Sequence, residues 1–150
     1  MTQAEEERIK EAVTRRLNDY VEASLSLDAE KCLDCFAMTE EPVMAADGKL
    51  LVGWDAHVEF FREGLKSLRT GDYFRFKNSQ VYPLAADAAV CSAEFEWSFG
   101  LDSGEHLRSE GAWTYVFKRI GETWRIVHSG GAHVFLPSPE PRSAGLTMPL

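Results

Sequence analysis

His128 is the side chain whose chemistry is simplest to state, because an unperturbed imidazole changes charge near neutral pH and this one falls late in a strand-like run, residues 124 to 133. As a catalytic group it needs a cavity beside it. Ser129, Gly130 and Gly131 follow directly, and His133 stands beyond them as either a second histidine to accompany His128 or a residue facing solvent. Glu94 and Glu96 alternate with Phe95 and Trp97. That period of two puts both acids on one face of a strand, ordinarily the wet one. Were the face turned into a cavity, desolvation would raise a glutamate's pKa and make it a general acid or base.

Other constellations are incomplete. Cys32 and Cys35 spell a C-x-x-C pair, but redox or zinc chemistry wants that pair at a helix start after a strand, or a second pair of ligands, and neither accompanies it. They read as small apolar helix residues, as does Cys91 in its Ala-Val-Cys run. The histidines lack an HxH or HxxxH pair and no carboxylates complete a ligand set, so no metal is expected. His57 on a helix and His106 in a turn read as surface residues. Gly130-Gly131 has no helix after it and GxSxG is missing, which leaves nucleotide and serine-hydrolase chemistry without a basis. No cofactor is expected.

The elements that must position these groups fall in a simple order. Residues 3 to 27 carry Ile9, Val13, Leu17, Tyr20 and Ser24 at helical spacing, with Thr2 as cap and Glu5, Glu6 and Glu7 in the first turn. Asp28 caps a short second helix over residues 29 to 36. Asp47-Gly48 joins two short strands between residues 43 and 52, and Asp55 is the expected cap of a third helix that Thr70-Gly71-Asp72 would end. Strand-like runs then recur over 73 to 82, 88 to 99, 107 to 117 and 124 to 133. Helices followed by a meander predict an α+β domain with the helices against one face of a curved sheet. Residues 1 to 135 form one domain, and the proline-rich stretch 136 to 150 reads as a tail.

The totals narrow the function classes. At 150 residues and 45% apolar content the chain suits a single core. A net charge of −8 without a dense Lys/Arg cluster argues against nucleic acid. No apolar run reaches the roughly 20 residues needed to cross a bilayer. With an acidic N-terminus and three cysteines, the expected location is cytoplasmic.

In the hairpin spanning residues 109 to 133, Trp113, Tyr115 and Phe117 share one face, and Ala112, Thr114 and Val116 the other. Neither face is made for water, so each should meet protein or a cavity.

Together, Asp19-Tyr20-Val21 before the Asp28 cap, Val52-Gly53-Trp54-Asp55 before the third helix, and the closing run from Gly121 through Trp124 to His128 resemble the SnoaL-like branch of the nuclear transport factor 2-like superfamily. The closing strand is also similar to that of the association domain of calcium/calmodulin-dependent kinases. The resemblance implies a cone-shaped, curved antiparallel sheet wrapped on three N-terminal helices, with a pocket in the cone and a dimer through the outer face. Function is less constrained than fold in such a family.

On that resemblance Tyr20 falls where ketosteroid isomerases place their oxyanion-binding tyrosine. Their carboxylate base falls near Met44 and their protonated acid near Thr114, so the isomerase base is missing, since Met takes no proton. The kinase-type pocket arginines fall at Thr114 and Gly131, which argues against an anion site. With Ala112, Thr114 and Val116 turned inward, Trp113, Tyr115 and Phe117 would form a homodimer interface. The expectation is a homodimer with a small, largely apolar ligand in a pocket bounded by Trp54, Phe61, Glu94 and Thr114, with Tyr20 and His128 as catalytic groups. The alternative is a non-catalytic interaction module whose cone is filled by its own side chains.

Overall fold

The computed structural model describes residues 1–38 and 41–137. All but the first two residues of the proline-rich tail lie outside that range. The elements run α1 (Gln3–Leu25), α2 (Ala29–Asp34), β1 (Val43–Ala46), β2 (Lys49–Val52), α3 (Trp54–Lys66), β3 (Leu68–Ala85), β4 (Ala88–Leu101), β5 (His106–Ile120) and β6 (Thr123–Leu136).

Local chemistry explains the helix entries. Thr2 Oγ1 accepts from the Glu5 amide at 3.1 Å while the Glu5 carboxylate accepts from the Thr2 amide at 2.7 Å, a reciprocal cap that satisfies free donors of α1. The Ile9, Val13, Leu17 and Ser24 stripe is buried. Asp28 caps α2 by accepting from the Lys31 amide. At α3 the expectation fails: Gly53, with φ of 96°, occupies the cap position and Asp55 lies in the first turn. The backbone makes this entry, because the Gly53 amide donates to Pro42 O and its own carbonyl accepts from the His57 amide. A side chain at φ 96° would be strained.

Thr70-Gly71-Asp72 does not stop a helix either; it lies inside β3. A Cβ on Gly71 would fall 2.3 Å from Leu25 O, so the missing side chain lets β3 pass the end of α1.

The strands form one sheet in the order β2-β1-β6-β5-β4-β3. Every pairing is antiparallel except β1 with β6, which run parallel from Val43 opposite His128 to Ala46 opposite Gly131. Register shifts along β3 curl the sheet, and Pro83 is tolerated there because β3 is an edge strand. The concave face holds α1 and α2 around a core that includes Val13, Phe36, Phe117 and Ile126, each 1% exposed or less.

The orientation expected for the β5–β6 hairpin is reversed. Tyr115 and Phe117 are buried in the concave core, Trp113 packs against it, and Thr114 is exposed on the convex face. Large rings are needed where the sheet must cover helices and enclose a hollow, and small side chains suffice outside. The three rings are therefore not an outer interface.

Candidate functional site

A cavity of about 230 Å³ opens inside the cone. Its walls come from the inward faces of β3 to β6, from α1 through Tyr20 and Ser24, from Cys32 and Phe36, and from α3 through Phe60, Phe61 and Leu65. The register builds the sheet wall in rows. Cys91, Tyr115, Ser129 and Met44 lie side by side on four neighbouring strands, then Ala93, Trp113, Gly131 and Ala46, then Phe95, Gly111 and His133. Gly131 clears room for an indole: a Cβ there would sit 2.9 Å from Cε3 of Trp113.

The lining is mostly hydrocarbon and aromatic, with few polar groups. Tyr20 meets Phe36, Phe61, Phe74 and Tyr115 edge-on, with centroids 6.0 to 6.2 Å apart. Burial pushes the Tyr20 and Tyr115 hydroxyls far above the usual phenol range and the Cys32 thiol up to about 11, so all three are neutral donors at physiological pH. Cys32 Sγ lies 3.8 Å from Ser24 Oγ. Ser129 is 1% exposed, and its hydroxyl has no hydrogen-bond partner.

His133 puts an imidazole on the cavity wall. Its ring lies among Phe95, Trp97, Trp113 and Phe135, with centroids 4.7 to 6.3 Å away. Behind it stands Asp47, at the tight turn between β1 and β2, where Asp47 and Gly48 both have positive φ. The Asp47 amide donates to Gly131 O at 3.3 Å, and Oδ1 accepts from the His133 amide at 3.3 Å. Oδ2 lies 2.8 Å from His133 Nδ1, yet off the axis of the ring N–H, so the contact is a close polar approach rather than an aligned hydrogen bond. An acid beside Nδ1 favours the proton on that nitrogen and leaves Nε2 with the lone pair.

Tyr20 and Phe61 line the cavity. Trp54 packs at the core's periphery rather than on the cavity wall. Glu94 is exposed and accepts from Asn78 Nδ2 at 3.1 Å; Thr114 is exposed and bonded to Ser92 at 2.8 Å. Both belong to the convex face, as does His128, which is exposed opposite Val116 and Val43.

The reason His128 misses the cavity is one extra residue. Trp124 and Ile126 are buried, and strict alternation from them would bring His128 inward. The register slips between Val116 and Phe117, so Val127 is left over and every later side chain changes face. Ser129, Gly131 and His133 turn inward instead. Gly130 and Gly131, beyond the slip and in regular register, mark close backbone approaches instead; nothing local pointed to Asp47 as more than a turn residue.

Met44, where the isomerase base would fall, lines the cavity with a thioether. The cavity holds no lysine, arginine, aspartate or glutamate among the described residues, and these include no cluster of His, Cys, Asp and Glu able to hold a metal.

Comparison with known structures places this architecture. A nuclear transport factor 2-like superfamily protein from Salmonella enterica serovar Typhimurium superposes with a TM-score of 0.74 at 16% identity, over 91% of this chain and 96% of that one. A hexachlorocyclohexane dehydrochlorinase, LinA type 2, gives 0.76 at 10% identity, over 93% and 95%. A protein from Xanthomonas campestris, named for the calcium/calmodulin-dependent protein kinase II association domain, gives 0.71 at 15% identity, over 86% and 87%. These likenesses establish the fold alone. Among curated proteins, none matches the chain. The model of the SnoaL-like domain matches residues 13–135, which span α1 to β6, and the chain belongs to that family.

Proposed function

We propose that this chain binds a small, largely apolar molecule inside the cone and moves a proton on it through His133, in a cofactor-independent reaction of the isomerase, dehydratase or cyclase type. The observation that carries the reading is His133 itself: an imidazole on the wall of an aromatic cavity, with a carboxylate 2.8 Å from its Nδ1. Asp47 would orient the ring and stabilise the imidazolium formed when Nε2 takes a proton. Tyr20, kept protonated by burial, would supply a hydrogen bond to an oxygen that gains charge. The name of one structural neighbour, a hexachlorocyclohexane dehydrochlorinase, describes chemistry on a small apolar molecule.

An open cavity with polar groups on its wall favours this reading over a module whose cone is filled by its own side chains. The two can be separated by thermal-shift and calorimetric titration with apolar carbonyl compounds. The wild type should be stabilised, and Tyr20→Phe and His133→Ala should bind more weakly. A broad panel without a single binder would leave the interaction module as the better account.

We also propose a cytoplasmic homodimer. With the rings turned inward, its contact surface is the convex face around Ser92, Ala112, Thr114 and Ala132, which is exposed and carries small side chains. Such a surface allows close approach of a second sheet.

A further inference from the structure

Ser129 presents a feature that neither packing nor the proton transfer above uses. Its side chain is 1% exposed, lies on the cavity wall, and has a hydroxyl with no partner. A buried hydroxyl without a hydrogen bond is unfavourable, and its neighbours in the row, Tyr115 and Met44, do not supply one. A ligand oxygen would.

We infer that Ser129 is the specificity-determining residue of the cavity, hydrogen-bonding the single neutral hydroxyl or carbonyl oxygen of a fused two-ring apolar molecule whose far edge lies against His133. This rests on the reading that the cavity binds an apolar ligand, and it adds the ligand's shape and polar group.

The dimensions come from the strand. Ser129 and His133 share a face of β6 and are four residues apart, so their Cα atoms are about 13 Å from one another at a rise of about 3.3 Å per residue. A two-ring ketone fills that interval once a hydrogen bond at one end and a van der Waals contact at the other are included. Between them Gly131 has no side chain, and the Trp113 indole lies over it, so the rings would rest on the indole as an apolar bed rather than on the strand itself. A 230 Å³ cavity is below the usual size of sites for drug-sized ligands, which suits a molecule this small.

The charge inventory sets neutrality. No cationic side chain lines the cavity among the described residues, so a carboxylate would be desolvated without compensation. The hydroxyl oxygen is closed off in the unliganded protein, so a ligand reaches it only once the serine side chain turns about its Cα–Cβ bond.

The experiment is calorimetric titration of the intact protein with 2-tetralone, naphthalene and 2-naphthoate. The ketone should bind the wild type about tenfold tighter than naphthalene, the worth of one satisfied buried hydrogen bond, and 2-naphthoate should bind weakest. In Ser129→Ala the preference for the ketone should vanish while naphthalene binding is retained. Ser129→Cys keeps the side-chain shape with a somewhat larger atom and weakens the hydrogen bond, so it should show the same trend and serves where the alanine variant is poorly folded. A ketone preference that survives both substitutions overturns the assignment of Ser129, and a naphthoate that binds as well as the ketone overturns neutrality. In both cases apolar binding, and with it the wider reading, still stands. No binding of naphthalene or the ketone overturns both.

Discussion

The carboxylate of Asp47 lies 2.8 Å from Nδ1 of His133, although 86 residues separate them in the chain. Two features of the sheet produce the meeting: the parallel β1–β6 pairing delivers the β1–β2 turn to the far half of β6, and the slip in β6 turns His133 toward the cavity. In Asp47→Ala the ring should lose its tautomer preference. Nitrogen-15 NMR of the imidazole should show the proton on Nδ1 in the wild type and a shift toward Nε2 in the variant. An unchanged tautomer ratio would mean that the carboxylate does not orient the ring.

Stability should move the other way at Ser129. Removing an unpartnered buried hydroxyl relieves a cost on the order of 1 kcal/mol, which for a domain of this size corresponds to roughly 3 °C in Tm. Ser129→Ala is therefore expected to melt higher than the wild type in the absence of ligand. A lower Tm would show that the hydroxyl has a stabilising partner.

Gly131→Ala tests the bed beneath the ligand. The added Cβ would fall 2.2 Å from Ala112 O and 2.9 Å from Trp113 Cε3, so either the backbone or the indole must yield. Overpacking of this kind costs about 1–3 kcal/mol. Urea titration should give a midpoint displaced downward with an unchanged slope, and a neutral substitution would contradict the crowding at this row.

His57 on α3 should make the fold sensitive to acid. Its side chain is fully buried against Phe36, Nδ1 is 2.8 Å from Gly53 O, and Nε2 has no partner. Desolvation lowers its pKa from the ordinary 6.5, with the Gly53 carbonyl opposing in part. The unfolded chain thus takes up the proton first, so stability present above pH 6.5 is lost as the pH falls below it. Thermal melts at pH 7.5 and 5.5 should differ less in His57→Leu than in the wild type. Equal differences would place the acid sensitivity elsewhere.

The convex face gives a test of the proposed dimer. Sedimentation of the wild type at micromolar concentration should show a species of twice 16.9 kDa, and Thr114→Arg should shift it to the monomer. A wild type that sediments only as a monomer removes the proposal.

What the chain determined by itself was local. Thr2 and Glu5 announced the start of α1, Asp28 that of α2, Asp47-Gly48 the first hairpin, and the period-two runs the long strands, because each depends on chemistry within a few residues. Tyr20 and Phe61 could be assigned to buried helix faces for the same reason, since a helix's apolar stripe must face the core, while the cavity they line was implied by the family resemblance.

The tertiary structure decided which face of each strand is concave and which distant residues meet. Trp113, Tyr115 and Phe117 turned inward since the curved sheet needs bulk on its covered side. One unpaired residue in β6 exchanged His128 for His133 on the inward face and turned Ser129 inward as well, buried and without a hydrogen-bond partner. Asp47 joined them through a pairing between strands from opposite ends of the chain. A period of two records that faces alternate, but a single slip inverts the assignment, and only the pairing partner holds the information about where the slip occurs.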